Sequence, residues 1–184
     1  MELLQGLLSR VSQPVLQAPG PDHAQIELAV KAAICVPDHR NLQAWRYILI
    51  EGEGRERLAE IYARSQSEQA PQRSAAEIDR LRQQPLRAPT LIMAVLRRQD
   101  AAQVPLHEQY LSMGASVQNL LLALMAQGWA AIWRTGALAE DRAVAQALGL
   151  QEQEMIAGVI YVGTTLNPRQ VSRPPPESFW EIWS

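Results

Sequence analysis

With 184 residues, 47% of them apolar and 20% charged, the chain can bury one hydrophobic core and is too apolar for intrinsic disorder, so a single domain over 1–184 is expected. A net charge of −2 and a pI near 5.9 give no field suited to a nucleic-acid backbone or an anionic membrane surface. The lone Cys35 excludes an internal disulfide and a cysteine-rich metal cluster, and no stretch reads as a secretory signal or a membrane span, so a cytoplasmic address is expected.

Leu3, Leu4, Leu7 and Leu8 share one face of a short helix predicted to end near Arg10, ahead of an extended, proline-bearing stretch over 12–21. Asp22 with Gln25 has the spacing of a capping box. Ile26, Ala29, Val30, Ala33 and Ile34 give the helix it opens a buried face, and Pro37 stops that helix. Residues 47–51 read as a strand left through Gly52 and Gly54, followed by a helix bearing Leu58, Ile61 and Tyr62. Residues 65–84 are polar and poor in large apolar side chains, which predicts a solvent-facing helix or mobile excursion that the core does not need.

Residues 90–96 form an unbroken apolar run, the pattern of a strand buried on both faces. Pro105 suits the first turn of a long helix reaching about Gln127, with Gly128 at its C-terminal cap. Because 113–126 is apolar nearly all round, more than one neighbour is expected to bury it, with Gly114, Ala115 and Ser116 permitting close approach. A short strand over 130–133, a helix over 140–148 closed by Gly149 and a strong strand over 156–162 complete the order. The tail, three prolines at 174–176 and then Phe179, Trp180 and Trp183, is expected to be extended and to seek a partner surface.

Arg10 and Ser12, two apart at a helix-to-loop junction, can point to one anion, and Lys31 is the only lysine, so Schiff-base chemistry is disfavoured. His107 and Glu108 open like a metalloprotease helix, but position 111 is leucine, so no zinc pair forms. Gly52 and Gly54 lack the third glycine and βαβ setting of a dinucleotide fold, and no Walker sequence is present.

Four stretches, in their order and spacing, resemble the minimal nitroreductases, small FMN-dependent NAD(P)H oxidoreductases. They are 7–12, 33–40 with 43–46, 126–136 and 160–163; the most specific are Pro37-Asp38-His39 with Gln43 and Trp45, and Ile132-Trp133-Arg134-Thr135-Gly136. The resemblance implies an α+β fold with a mainly antiparallel central sheet flanked by helices, and a homodimer with two FMN sites at its interface. It implies that Arg10, Val11 and Ser12 meet the FMN phosphate and ribityl chain, that His39 reaches the flavin from the other subunit, and that Gln43 meets the polar edge of the ring. Trp133, Arg134 and Thr135 are likewise implied as FMN contacts, with Arg169 or Arg173 as a second phosphate cation. Residues Ala123, Leu124, Met125, Ala126, Gln127 and Gly128 match the segment assigned to nicotinamide.

The sequence departs from the family at Val11, where relatives carry a second cation, and at Cys35, where close relatives often place an FMN-touching arginine; Trp45 reads as core. The implied activity is transfer of reducing equivalents from NADH or NADPH, by ping-pong through FMN, to nitroaromatics, quinones or similar electrophiles, with no protein acid–base residue and no metal. Two other readings stay open: a dehalogenase-like or flavin-destructing enzyme on the same scaffold, and a non-catalytic flavin-binding or flavin-delivery protein.

Overall fold

The computed structural model describes residues 2–100 and 103–183. Its centre is a four-stranded antiparallel sheet of order β1-β2-β4-β3, built from β1 (Trp45–Glu51), β2 (Thr90–Arg97), β3 (Ala130–Arg134) and β4 (Glu154–Gly163). The continuous apolar run of β2 has the burial its sequence predicts: Leu91 through Leu96 are each at most 1% exposed. Alternation then splits the run into two cores. Ile92, Ala94 and Leu96 pack with α2 (His23–Ala33) and α5 (Leu106–Ala126), while Leu91, Met93 and Val95 pack with α3 (Glu53–Gln69) and the short α6 (Ala137–Glu140) and α7 (Arg142–Ala147).

The capping box opening α2 forms as predicted, with Asp22 accepting from the Gln25 N–H and the Gln25 side chain accepting from the Asp22 N–H. α5 is covered by α2 on one side and the sheet on another, and Gly128 closes it at φ +88°. The first helix, α1 (Leu3–Ser9), differs from a buried amphipathic element. Leu3, Leu4 and Leu8 are each over 70% exposed, and Gly6 is its buried residue.

Two other expectations are corrected. Residues 65–84 do not form an expendable excursion, because Ser65 and Gln66, in the last turns of α3, are buried and donate at 2.9 and 2.8 Å to the carboxylate of buried Asp141. A buried carboxylate needs donors, and short polar side chains on α3 supply them. Beyond them the segment is solvent-facing, with α4 (Ala75–Arg82) bearing no buried residue. The predicted helix over 140–148 is broken at Asp141, which is extended and caps α7 through the Ala143 and Val144 N–H groups.

β4 carries a bulge. Val95 pairs with Ile156 and Ala94 with Gly158, so the register shifts by one residue and the inward face changes there. Gly158 sits at φ +153°, and a Cβ on it would lie 2.0 Å from Trp133 Nε1 and 3.0 Å from the Arg134 carbonyl oxygen. Gly158→Ala is therefore expected to destabilise the fold by about 2–4 kcal/mol, through backbone strain and displacement of the indole, in a urea titration followed by tryptophan fluorescence.

A partly buried ion pair spans β1 to β4. Arg46 donates to both carboxylate oxygens of Glu154, at 2.6 and 2.8 Å, with Arg97 at 3.7 Å and the Gln151 N–H at 3.0 Å. The Arg46 guanidinium, aided by that N–H, holds the Glu154 carboxyl down at about 2. A depressed carboxylate contributes stability above its ordinary range and loses it as pH falls toward 2. Arg46→Met should move the acid-unfolding midpoint, measured by circular dichroism, to higher pH.

Candidate functional site

Where α1 ends, the chain passes under the C-terminal end of α5 and the start of β3. The Gln13 N–H donates to the Ala131 carbonyl at 3.0 Å, fixing this coil segment against β3. The buried Gln13 side chain then grips the segment after β4: its Nε2 donates to the Arg169 carbonyl at 3.2 Å, and its Oε1 accepts from the Arg169 N–H at 2.8 Å. Arg173 adds a third tie, its guanidinium donating to the Arg10 carbonyl at 2.7 Å. Three stretches distant in sequence are thereby held around one cleft of about 260 Å³.

The cleft has a cationic end and an apolar wall. Arg10, Val11, Gln13 and Arg169 line it together with Leu121, Met125, Gly128 and Trp129. Among the described residues Arg10 and Arg169 form no ion pair, whereas Arg46, Arg82, Arg97 and Arg98 each meet a carboxylate. No acidic side chain lines the cleft. Two uncompensated guanidinium groups beside apolar surface suit an anion attached to a flat, apolar body. Trp129 also lines this wall, and its Nε1–H is buried without a partner among the described residues.

The two terminal contacts of the cleft answer which basic residue after β4 faces it. Arg169 lines the cavity, whereas the Arg173 side chain is engaged with backbone. Of the other residues singled out in the sequence, Met125 and Gly128 line the cleft and Ser12 lies beside it, half-buried. Leu124 is in the core, Ala126 is exposed, and Gln127 ties α5 to α2 by donating to the Gln25 carbonyl at 3.1 Å, with Ala123 packed against the core. Trp133 packs on the α5 face of the sheet, and Arg134 turns to the opposite face, its guanidinium carbon 5.7 Å from the Tyr161 ring centre. Burial pushes the Tyr161 hydroxyl up to about 12, so that phenol keeps its proton at neutral pH. Thr135 is exposed at the strand exit.

Cys35, His39 and Gln43 stand outside the cleft of their own chain. Cys35 is exposed just past α2 and donates to the Lys31 carbonyl at 3.2 Å. His39 and Gln43 lie on the loop before β1, His39 paired with Glu108 of α5, and Gln43 at the rim of a groove of about 410 Å³ between α2 and β1. Sequence reasoning missed Gln13, Trp129 and Glu108. Gln13 follows the Arg10–Ser12 motif directly, but a glutamine in a coil carries no periodic signal; Trp129 falls between the Gly128 cap and the strand predicted over 130–133 and stood only within the matched stretch 126–136.

No helix among the described residues is long and apolar enough to cross a membrane. The sequence matches the model of the Nitroreductase family over residues 10–164. It is 38% identical over 164 residues to an Escherichia coli K12 protein named "Putative NAD(P)H nitroreductase YdjA", covering 89% of this chain and 88% of that one. A Haemophilus influenzae relative of the same description is 31% identical over 166 residues, covering 89% of each chain. Among solved structures, a nitroreductase-like family protein from Bacillus cereus superposes with a TM-score of 0.83 at 23% identity, covering 100% of this chain and 96% of that one. A mutant of the FMN and NADPH-dependent nitroreductase NfnB from Sphigopyxis sp. strain HMH gives 0.79 at 17% identity, covering 99% of each. At these identities the structures establish the fold, an α+β arrangement of antiparallel sheet and flanking helices.

Proposed function

The chain belongs to the nitroreductase family, and on that footing we propose that it is an FMN-dependent NAD(P)H oxidoreductase, working as a homodimer on nitroaromatic, quinone or similar electrophilic small molecules. The observation that carries this reading is the cleft itself. Its paired but uncompensated Arg10 and Arg169 match a phosphomonoester, and its Leu121, Met125 and Trp129 wall matches the apolar part of the same ligand.

In this reading Arg10 and Arg169 hold the phosphate, with Val11 and Ser12 along the ribityl chain. Val11 contributes backbone and apolar surface there, so the cationic grip falls to the two arginines. The backbone of Trp133, Arg134 and Thr135 at the exit of β3 borders the ring end, with the Arg134 side chain itself on the far face of the sheet, and the α5 segment from Ala123 to Gly128 borders the space for nicotinamide. FMN bound there would supply the redox chemistry between NAD(P)H and an electron acceptor, the two using the same space in turn. The cleft lining holds no carboxylate, imidazole, thiol or phenol, so the protein's part is to bind, orient and balance negative charge.

A second copy is part of the proposal. At about 260 Å³ the cleft of one chain falls just short of the roughly 300–1,000 Å³ of complete small-molecule sites. His39, Gln43 and Cys35, outside their own cleft, are available to a neighbour's. Leu3, Leu4 and Leu8 stand exposed on α1. β1 is an outer strand flanked by apolar grooves, one lined by Ile26, Val30 and Trp45, the other by Ile48, Leu58 and Ile61. An unpaired strand edge with a groove on each face suits an added strand, and the exposed aromatic tail of another copy is the nearest candidate.

The purified protein should be yellow, and anaerobic titration with NADH or NADPH should bleach its flavin absorption. Arg10→Ala should lower FMN affinity about tenfold or more, the effect of losing one charge-assisted hydrogen bond of roughly 1.5–3 kcal/mol, with circular dichroism unchanged. A colourless protein that takes up no added FMN would end the proposal. Removing residues 179–184 should shift the mass by light scattering toward the monomer and speed FMN release; a truncated protein that stays dimeric would separate the tail from the interface.

A further inference from the structure

The loop before β1 is held in an unusual conformation. Arg40, Asn41 and Gln43 have φ of 59°, 52° and 51°, three left-handed non-glycine residues within four positions. Such backbone persists only where its surroundings enforce it, and it concentrates where a side chain must be presented to a ligand. The enforcement here is visible. The Gln43 N–H donates to the Asp38 carboxylate at 2.6 Å, the Asn41 N–H to the Asp38 carbonyl at 3.0 Å, and Gln99 Nε2 to the Leu42 carbonyl at 3.1 Å.

One member of this frame fixes a side chain rather than the backbone. His39 Nδ1 is hydrogen-bonded to Glu108 Oε2, across from the loop to the first turn of α5. The His39 side chain is 47% exposed and that of Glu108 34%, so this pair stands at the surface and not in the core. A carboxylate can only accept, so the proton of this hydrogen bond belongs to Nδ1. In the neutral ring Nε2 is then the acceptor, and among the described residues it has no partner. The pair has the form in which a carboxylate sets the tautomer and orientation of an imidazole whose other nitrogen works on something else.

We infer that Glu108 is a positioning residue of the nucleotide site: it holds Nδ1 of His39 so that Nε2, on the strained loop 38–43, accepts a hydrogen bond from a hydroxyl or imide N–H of the flavin bound in a second copy's cleft. This rests on the dimeric FMN reading given above. It also gives a role to the Glu108 carboxylate left over when the apparent zinc helix fails at Leu111. Glu108 touches no ligand itself; its whole effect passes through His39.

That last property is what a double-mutant cycle on the full-length protein reads. FMN affinity, from quenching of flavin fluorescence, should fall about three- to tenfold in Glu108→Ala and at least as far in His39→Ala. Adding Glu108→Ala to His39→Ala should then change it less than twofold. Glu108→Gln, which keeps an accepting oxygen for Nδ1–H, should bind FMN within about twofold of the wild type. Independently, long-range ¹⁵N–¹H correlation of the imidazoles, with the His39 signal assigned by its loss in His39→Ala, should show Nδ1 protonated in the wild type and mixed tautomers in Glu108→Ala. Additive losses, an unchanged affinity in Glu108→Ala or His39→Ala, or an Nε2-protonated His39 would overturn the inference while leaving a flavin-binding wild type intact. A wild type that does not bind FMN would overturn the functional proposal and this inference together.

Discussion

Everything in this fold answers to a strand with no wet side. Each of the six residues from Leu91 to Leu96 is essentially removed from solvent, and burial of the five side chains other than Ala94 contributes about 1.5–3 kcal/mol apiece. A sheet whose middle strand is apolar on both faces must be covered twice, which sets α2 and α5 on one side and α3, α6 and α7 on the other. With both faces sealed, the space that the sheet itself borders lies along its margins. The cationic cleft lies at the β3 margin, and the two grooves flank the β1 margin.

The charge distribution follows the same division. Several arginines of the scaffold are matched, Arg46 with Glu154, Arg82 with Glu60 and Asp79, and Arg98 with Asp100, while Arg55 and Arg73 are satisfied by the carbonyls of Ala88 and Gln66. Those at the cleft are not, and a cation pair left unmatched in a chain of net charge −2 is what a bound anion requires. The ties around it are made by an amide and by backbone. Gln13 and Arg173 draw the segment after β4 onto the exit of α1 without introducing a carboxylate that would neutralise Arg10.

The sequence was most legible where a local rule acts alone. The Asp22–Gln25 capping box, the double-sided run of β2 and the Pro105-to-Gly128 limits of the long helix each follow from neighbouring residues, and each has the expected form. It was least legible where a distant partner intervenes. Ser65 and Gln66 look like surface polar residues until Asp141, far along the chain, is brought against them. The same carboxylate breaks a helix that periodicity alone would run unbroken from 140 to 148. In the candidate site, Arg10 was visible as a basic residue at a helix exit, but its company was not.

The sequence alone determined the family, the kinds of elements and most of their limits, because periodicity, caps and motif blocks are written in adjacent residues. Only the tertiary structure decided that Arg169 and not Arg173 lines the cleft, that Gln13 clamps it, that Arg134 turns to the far face of the sheet, and that Glu108 belongs to His39. The physical reason is that a side chain's partner is chosen by where the sheet and helices deliver it. That delivery depends on the whole packing, which no short window of residues contains.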